Sequence, residues 1–162
     1  MKYTNGVKKN TPQTPKPLVN RRARFDYELG ETISAGIVLS GPEVRGARLG
    51  HVKLTGAYAN IKDGELWLTN MSISIPATAQ ATVGEKELTT ARKLLVKKSE
   101  LQRIEEAKKQ GLTIVPTRLF TTGKFIKIEL SIAKGKKNYD KRETLKRRQQ
   151  DREANRIIKE QT

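Results

Sequence analysis

From Phe25 onward the chain alternates apolar and polar residues with a period of two, and that period organises most of its central part. Phe25-Asp26-Tyr27-Glu28-Leu29 reads as a half-buried strand, and Ile33 to Leu39 as a second one. Gly41-Pro42 breaks the pattern before a short helical stretch, Glu43 to Leu49, which ends at Gly50. Gly46 weakens that helix by about 1 kcal/mol relative to alanine, so tertiary contacts must hold it. Ala57 to Lys62 and Glu65 to Ile73 are alternating runs joined by Asp63-Gly64, a strong hairpin signal, and Trp67 in the second run is expected in the sheet core. Pro76 to Thr90 is small and polar, the composition of a loop.

Arg92-Lys93-Leu94-Leu95-Val96-Lys97-Lys98 places an apolar triplet between basic pairs, predicting a buried strand whose ends emerge as cation clusters. Ser99 with Gln102 has the spacing of a capping box, Leu101, Ile104 and Ala107 or Lys108 mark one helical face, and Gly111 ends the helix. Leu112 to Phe120 and Lys124 to Ile132 form a last hairpin around Thr121-Thr122-Gly123. In its second strand Ile126, Ile128 and Leu130 alternate with Phe125, Lys127 and Glu129. Pro116 puts the first of these strands at an edge or gives it a bulge. About six short antiparallel strands and two helices predict a mainly β protein, a small closed antiparallel barrel of the oligonucleotide-binding type with short flanking helices.

The flanks differ from this body. Residues 1–19 combine four lysines with Pro12, Pro15 and Pro17 and no apolar period, a disordered basic leader. Residues 20–132 make the folded domain, and residues 133–162 form a basic C-terminal tail carrying eleven Lys or Arg against five Asp or Glu. The tail holds too little apolar area to offset the backbone entropy of ordering, about 1–2 kcal/mol per residue. Lys141 to Lys159 nevertheless lacks Pro and Gly and is rich in helix formers, which predicts a helix that forms on a partner. Such a helix aligns Arg148, Arg152, Arg156 and Lys159 in one stripe suited to phosphate, with Ile157 and Ile158 as an apolar patch near its tip. Tyr139, between Lys136-Lys137 and Lys141-Arg142, can stack on a base while the cations hold the backbone.

Charge sharpens the picture, because the net +16 divides as +7 in residues 1–24, +3 in residues 25–132 and +6 in residues 133–162. A nearly neutral body with two basic arms implies a polyanionic partner. An acidic membrane would require an amphipathic apolar face or a lipid anchor, and neither is visible. Without cysteine, and with His51 as the lone histidine in a loop or strand-entry position, the sequence offers no metal site and no cofactor motif. No nucleophile and base pair up, and no phosphate-cradling glycine loop is present, so catalysis is not expected. The expectation is a cytoplasmic, monomeric, RNA-binding protein. Three arginines in Asn20-Arg21-Arg22-Ala23-Arg24, at the base of the first strand, are a candidate phosphate clamp.

Five segments in one order, Asn20 to Arg24, Ala35 to Gly41 with Glu43-Val44, Arg92 to Leu95, Gly111 to Pro116, and Ala133 to Lys137 with Asp140 to Glu143, resemble the small protein B family of bacterial SsrA-binding proteins over about residues 20–159. The resemblance implies a barrel that grips the transfer-RNA-like domain of transfer-messenger RNA and a tail that becomes helical in the empty messenger channel, near the decoding centre of a stalled ribosome. It implies RNA contacts at Asn20, Arg24, Leu95 and Lys127, to which the candidate phosphate clamp adds Arg21 and Arg22. The ribosome-facing tail then comprises Lys134, Lys136, Lys137, Tyr139, Asp140, Lys141, Arg142, Arg148, Arg152, Arg156, Ile157 and Ile158. Two positions depart from the family pattern: Phe25 stands where histidine is common, and Ser34 where an acidic residue is. Composition alone fits equally a generic oligonucleotide-binding-type ribosomal or RNA-binding protein.

Overall fold

The computed structural model describes residues 16–75 and 90–160, with the side chains of Asn138 and residues 158–160 outside that description. Most of the predicted leader and nearly all of the Pro76 to Thr90 loop therefore lie outside the described residues. Within them the chain runs β1 (Leu18–Val19), α1 (Arg21–Asp26), β2 (Tyr27–Ile37), α2 (Gly41–Arg48), β3 (Val52–Lys53), β4 (Tyr58–Lys62), β5 (Glu65–Thr69), β6 (Ser72–Ile73), β7 (Arg92–Leu95), α3 (Lys98–Lys109), β8 (Thr113–Thr122), β9 (Phe125–Gly135) and α4 (Asn138–Glu160). The protein is mainly β with a few helices.

Among the described residues all strand pairings are antiparallel, and those of the main sheet return on themselves: β8 pairs with β4, then come β5, β7, β2 and β9, and β9 pairs again with β8. One edge of β8 is shared, taking β4 at Ile114 and β1 at Arg118 and Leu119. Between those contacts the β8–β9 register shifts from Pro116 to Arg118, the irregularity expected of a residue with no N–H to donate. Inward-facing Ile33, Ala35, Leu66, Leu68, Ile128 and Leu130 meet Ile104 of α3 in the main core. Alternation carries most of the strands' other residues outward, although Val115, Ser131 and Ala133 are buried on the opposite face of β8 and β9.

Several elements depart from the sequence pattern. Phe25 does not begin a strand, because Asn20 starts a helical turn over Arg21–Asp26 and the extended backbone begins at Tyr27. From there one long strand, β2, replaces two, with its register shifting between Leu29 and Thr32. The Asp63-Gly64 turn is as predicted, both residues having positive φ (53° and 74°) as a type I′ turn needs. The run after it stops at Thr69, and β6 pairs instead with β3 as a separate two-stranded sheet. Trp67 is only half-buried: Leu66 and Leu68 take the inner face of β5, leaving Trp67 beside Asn60 and Lys93 on the outer one.

Phase likewise reverses the reading of β7. Arg92 points inward and is buried, with Nε 2.8 Å and a terminal nitrogen 2.7 Å from Glu43 Oε1, while it donates to the Met71 carbonyl at 2.7 Å and the Thr90 carbonyl at 2.9 Å. It is an internal anchor instead of an emergent cation. The capping interaction of α3 also starts earlier than Ser99, the Lys97 N–H donating to Glu100 Oε2 at 2.8 Å. Finally β9 extends to Gly135, and its Ala133 is buried in a small second cluster with Ala23 and Val115.

Candidate nucleic-acid interface

Two surfaces gather the candidate residues, one at each end of β2. At the far end three strands place Leu95, Gly36 and Lys127 side by side, since Gly36 pairs with Leu95 on β7 and with Lys127 on β9. Glycine leaves a notch there: a Cβ on Gly36 would lie 3.4 Å from Leu95 Cβ. Leu95 is exposed because Leu94 occupies the inward phase. Ser34, also exposed, lies opposite Glu129, whose carboxylate is engaged by Arg118. A neutral hydroxyl thus stands here beside a carboxylate that is already paired. Leu95 and Lys127 border two shallow depressions, one reaching Ser34 and Lys97, the other reaching Val38 and Phe125.

At the near end Asn20 is buried, with its polar groups engaged. Its Nδ2 donates to the Leu54 and Pro116 carbonyls at 3.0 and 2.9 Å, its N–H donates to the Thr117 carbonyl at 2.8 Å, and its Oδ1 accepts the Ala23 N–H at 3.2 Å. Asn20 therefore holds α1 in place, which turns Arg21, Arg22 and Arg24 outward while Ala23 enters the small cluster. Arg22 Nε donates to Asp26 Oδ2 at 2.9 Å, so its charge is partly committed within the protein.

The root of the tail joins this end. The Lys136 N–H donates to the Asp26 carbonyl at 3.0 Å, and its Nζ to the Arg24 carbonyl at 3.1 Å. Asp140 Oδ2 accepts the Lys137 N–H at 3.2 Å at the start of α4, an N-terminal carboxylate that complements the helix dipole. Lys141 Nζ stands 3.4 Å from Asp26 Oδ1, and the guanidinium carbons of Arg22 and Arg148 lie 5.4 and 5.7 Å from the Phe25 ring centroid, both within cation–π range. A groove of about 560 Å³ runs between α1 and α4, lined by Arg21, Arg22, Phe25, Leu145 and Arg148 and floored by Val52 to Thr55. Phe25 is thereby a seat for the tail helix, a role that its spacing alone does not reveal.

Along α4, Tyr139, Leu145 and Ile157 are exposed, and Arg142, Arg152 and Arg156 lie on its surface. Lys134, exposed at the end of β9, lies opposite Glu28. The Ile158 side chain lies outside the described residues. Among the described residues no three His, Asp or Glu side chains converge to hold a metal ion, and no helix is long and apolar enough to cross a membrane.

Residues 18–160 match the family model described as SmpB protein. The SsrA-binding protein of Streptococcus thermophilus (strain ATCC BAA-491 / LMD-9) is 43% identical over 141 residues, covering 86% of this chain and 90% of that protein. The SsrA-binding protein of Ligilactobacillus salivarius (strain UCC118) is 41% identical over 152 residues, covering 93% and 97% respectively. A chain of the solved structure "tmRNA-SmpB: a journey to the center of the bacterial ribosome" is 40% identical and superposes with a TM-score of 0.62 over 75% of this chain and 85% of that one.

Proposed function

The chain belongs to the SmpB protein family, and from that premise we propose that it binds the transfer-RNA-like domain of transfer-messenger RNA, brings that RNA to stalled ribosomes and supports trans-translation. The observation that carries this reading is the family match across both body and tail, residues 18–160, together with a solved relative of 40% identity named for transfer-messenger RNA and the ribosome. The body works as a closed barrel of the oligonucleotide-binding type, a reading supported by the circuit of pairings from β8 through β4, β5, β7, β2 and β9 back to β8. Its work is binding, with no catalytic step and no cofactor, and it takes place in the cytoplasm, where the ribosomes are.

Leu95 and Lys127 meet RNA at one end of β2, Leu95 by apolar contact and Lys127 by charge. Arg21, Arg22 and Arg24 hold phosphates at the other end, with Asn20 positioning them. Lys134, Lys136 and Lys137 continue that basic surface into the tail. Tyr139 to Arg142 then lead α4 along ribosomal RNA, with Arg148, Arg152 and Arg156 neutralising phosphates and Ile157 with Ile158 closing the helix tip. At 1.5 Å per residue this 23-residue helix spans roughly 35 Å, long enough to occupy a channel instead of a single contact.

Deletion of residues 140–162 tests the division of labour. The buried members of both core clusters lie at or before Ala133, so the truncated protein should fold and bind isolated transfer-messenger RNA with nearly unchanged affinity. It should fail to support peptide tagging on stalled ribosomes. Tagging by the truncated protein, or loss of RNA affinity equal to that of a clamp mutant, would refute the division.

A further inference from the structure

Phe125 is the most exposed of the large apolar side chains among the described residues, at 72%, although it sits in a strand whose inward neighbours Ile126 and Ile128 are buried. It does not stand alone. Val38 is 50% exposed and Leu95 55%, and all three border one depression of about 360 Å³. An apolar basin edged by lysines calls for a partner that is itself both apolar and anionic. Among the described residues that line it, the charged ones are Lys124 and Lys127, with no carboxylate.

The hairpin that presents the ring is tied down. Gly123 takes the positive φ of the turn (57°), and an Arg48 terminal nitrogen donates to the Lys124 carbonyl at 3.2 Å, fastening the turn to α2. A ring on an anchored turn loses less conformational freedom on binding than one on a loose loop.

We propose that the Phe125 basin takes an unpaired nucleobase of the bound RNA, stacked on the Phe125 ring and edged by Val38 and Leu95, while Lys124 and Lys127 hold the flanking phosphates. The proposal rests on the RNA-binding reading above and extends the interface from Leu95 and Lys127 to the β8–β9 hairpin tip. Continuity carries the choice of occupant, because Gly36, Leu95 and Lys127 border both this basin and the depression beside Ser34. A base can therefore lie on one side of the Leu95–Gly36–Lys127 row while its chain continues along the other.

Binding of the transfer-RNA-like domain RNA to the full-length protein at several salt concentrations tests this, using the wild type, Phe125→Ala, Phe125→Leu, Phe125→Trp and Lys127→Ala. Stacking contributes about 1–3 kcal/mol per base, so Phe125→Ala should weaken binding by about 5- to 150-fold with the dependence on salt unchanged. Phe125→Leu should lose most of the affinity, and Phe125→Trp should keep it and show tryptophan quenching on RNA addition beyond that of Trp67 in the wild type. Lys127→Ala should instead flatten the salt dependence. Thermal unfolding should be unchanged in all Phe125 variants, since the ring is exposed. Wild-type affinity in Phe125→Ala, or in Phe125→Leu, would overturn the stacking role. Retained RNA affinity with lost ribosome association would overturn it in favour of a different partner at this basin. Failure of the wild type itself to bind the RNA would overturn the function from which both proposals start.

Discussion

The Lys141 ammonium stands 3.4 Å from the Asp26 carboxylate, joining the first turn of the tail helix to the end of the first helix of the body. Burial by itself would raise the Asp26 pKa, but hydrogen bonds and charge from Arg22 and Lys141 outweigh it and hold the carboxyl below its ordinary 3.8. A carboxyl depressed in the folded state stabilises that state above its unfolded value and loses the contribution as pH falls through the folded one. Hydrogen exchange around residues 138–145 should therefore be independent of this group above about pH 5 and show loosening of the helix root below 3.8. Asp26→Asn should remove that pH dependence. Unchanged acid loosening in Asp26→Asn would place the sensitive group elsewhere.

Arg92 and Glu43 form the most deeply buried ion pair of those described, with side chains only 3% and 13% exposed. Removing one partner of such a pair strands the other, at a cost of about 3–5 kcal/mol. Glu43 also accepts the Ser40 N–H at 2.8 Å at the start of α2. Glu43→Ala should lower the urea midpoint accordingly. The double variant Glu43→Leu with Arg92→Met should recover part of that loss, since neither charge is then left alone. Equal destabilisation by the single and double changes would show that the cap, and not the charge, matters.

Gly46 should resist replacement for a reason independent of helix propensity. A Cβ there would fall 2.6 Å from the Ser74 carbonyl oxygen and 3.0 Å from Ile73 Cγ2. Gly46→Ala gains about 1 kcal/mol of helix propensity, against overpacking of typically about 1–3 kcal/mol. The expected result is a lower melting temperature. A rise would mean that the backbone beside β6 yields easily.

Salt dependence should distinguish the three arginines of α1. Every phosphate that a variant no longer neutralises should flatten the slope of log affinity against log salt by about 0.7–0.9. Arg24→Ala should show that full change in binding to the transfer-RNA-like domain. Arg22→Ala should show less, because Arg22 is already paired with Asp26 at 2.9 Å. Equal slopes for wild type and Arg24→Ala would remove Arg24 from the RNA interface.

What the sequence by itself determined is much of what depends on local period and turn chemistry. Ile126, Ile128 and Leu130 face inward as their alternation requires, Asp63-Gly64 turns the chain, and Gly111 ends a helix with a φ of 78°. The segregation of charge into a near-neutral body and basic arms is likewise a property of composition. What only the tertiary structure decided is which strand phase faces the core and which distant groups meet. Arg92 is buried and Leu95 exposed because β7 must set Leu94 inward against the main core, a choice that an apolar triplet leaves undetermined. Asn20 reaches carbonyls 34 and 96 residues away, and Lys141 finds Asp26, through pairings that no local window contains. The Phe125 basin arises in the same way: β2, β7, β9 and α2 each supply part of it, and only their closure side by side brings an exposed ring, a glycine notch and two lysines together.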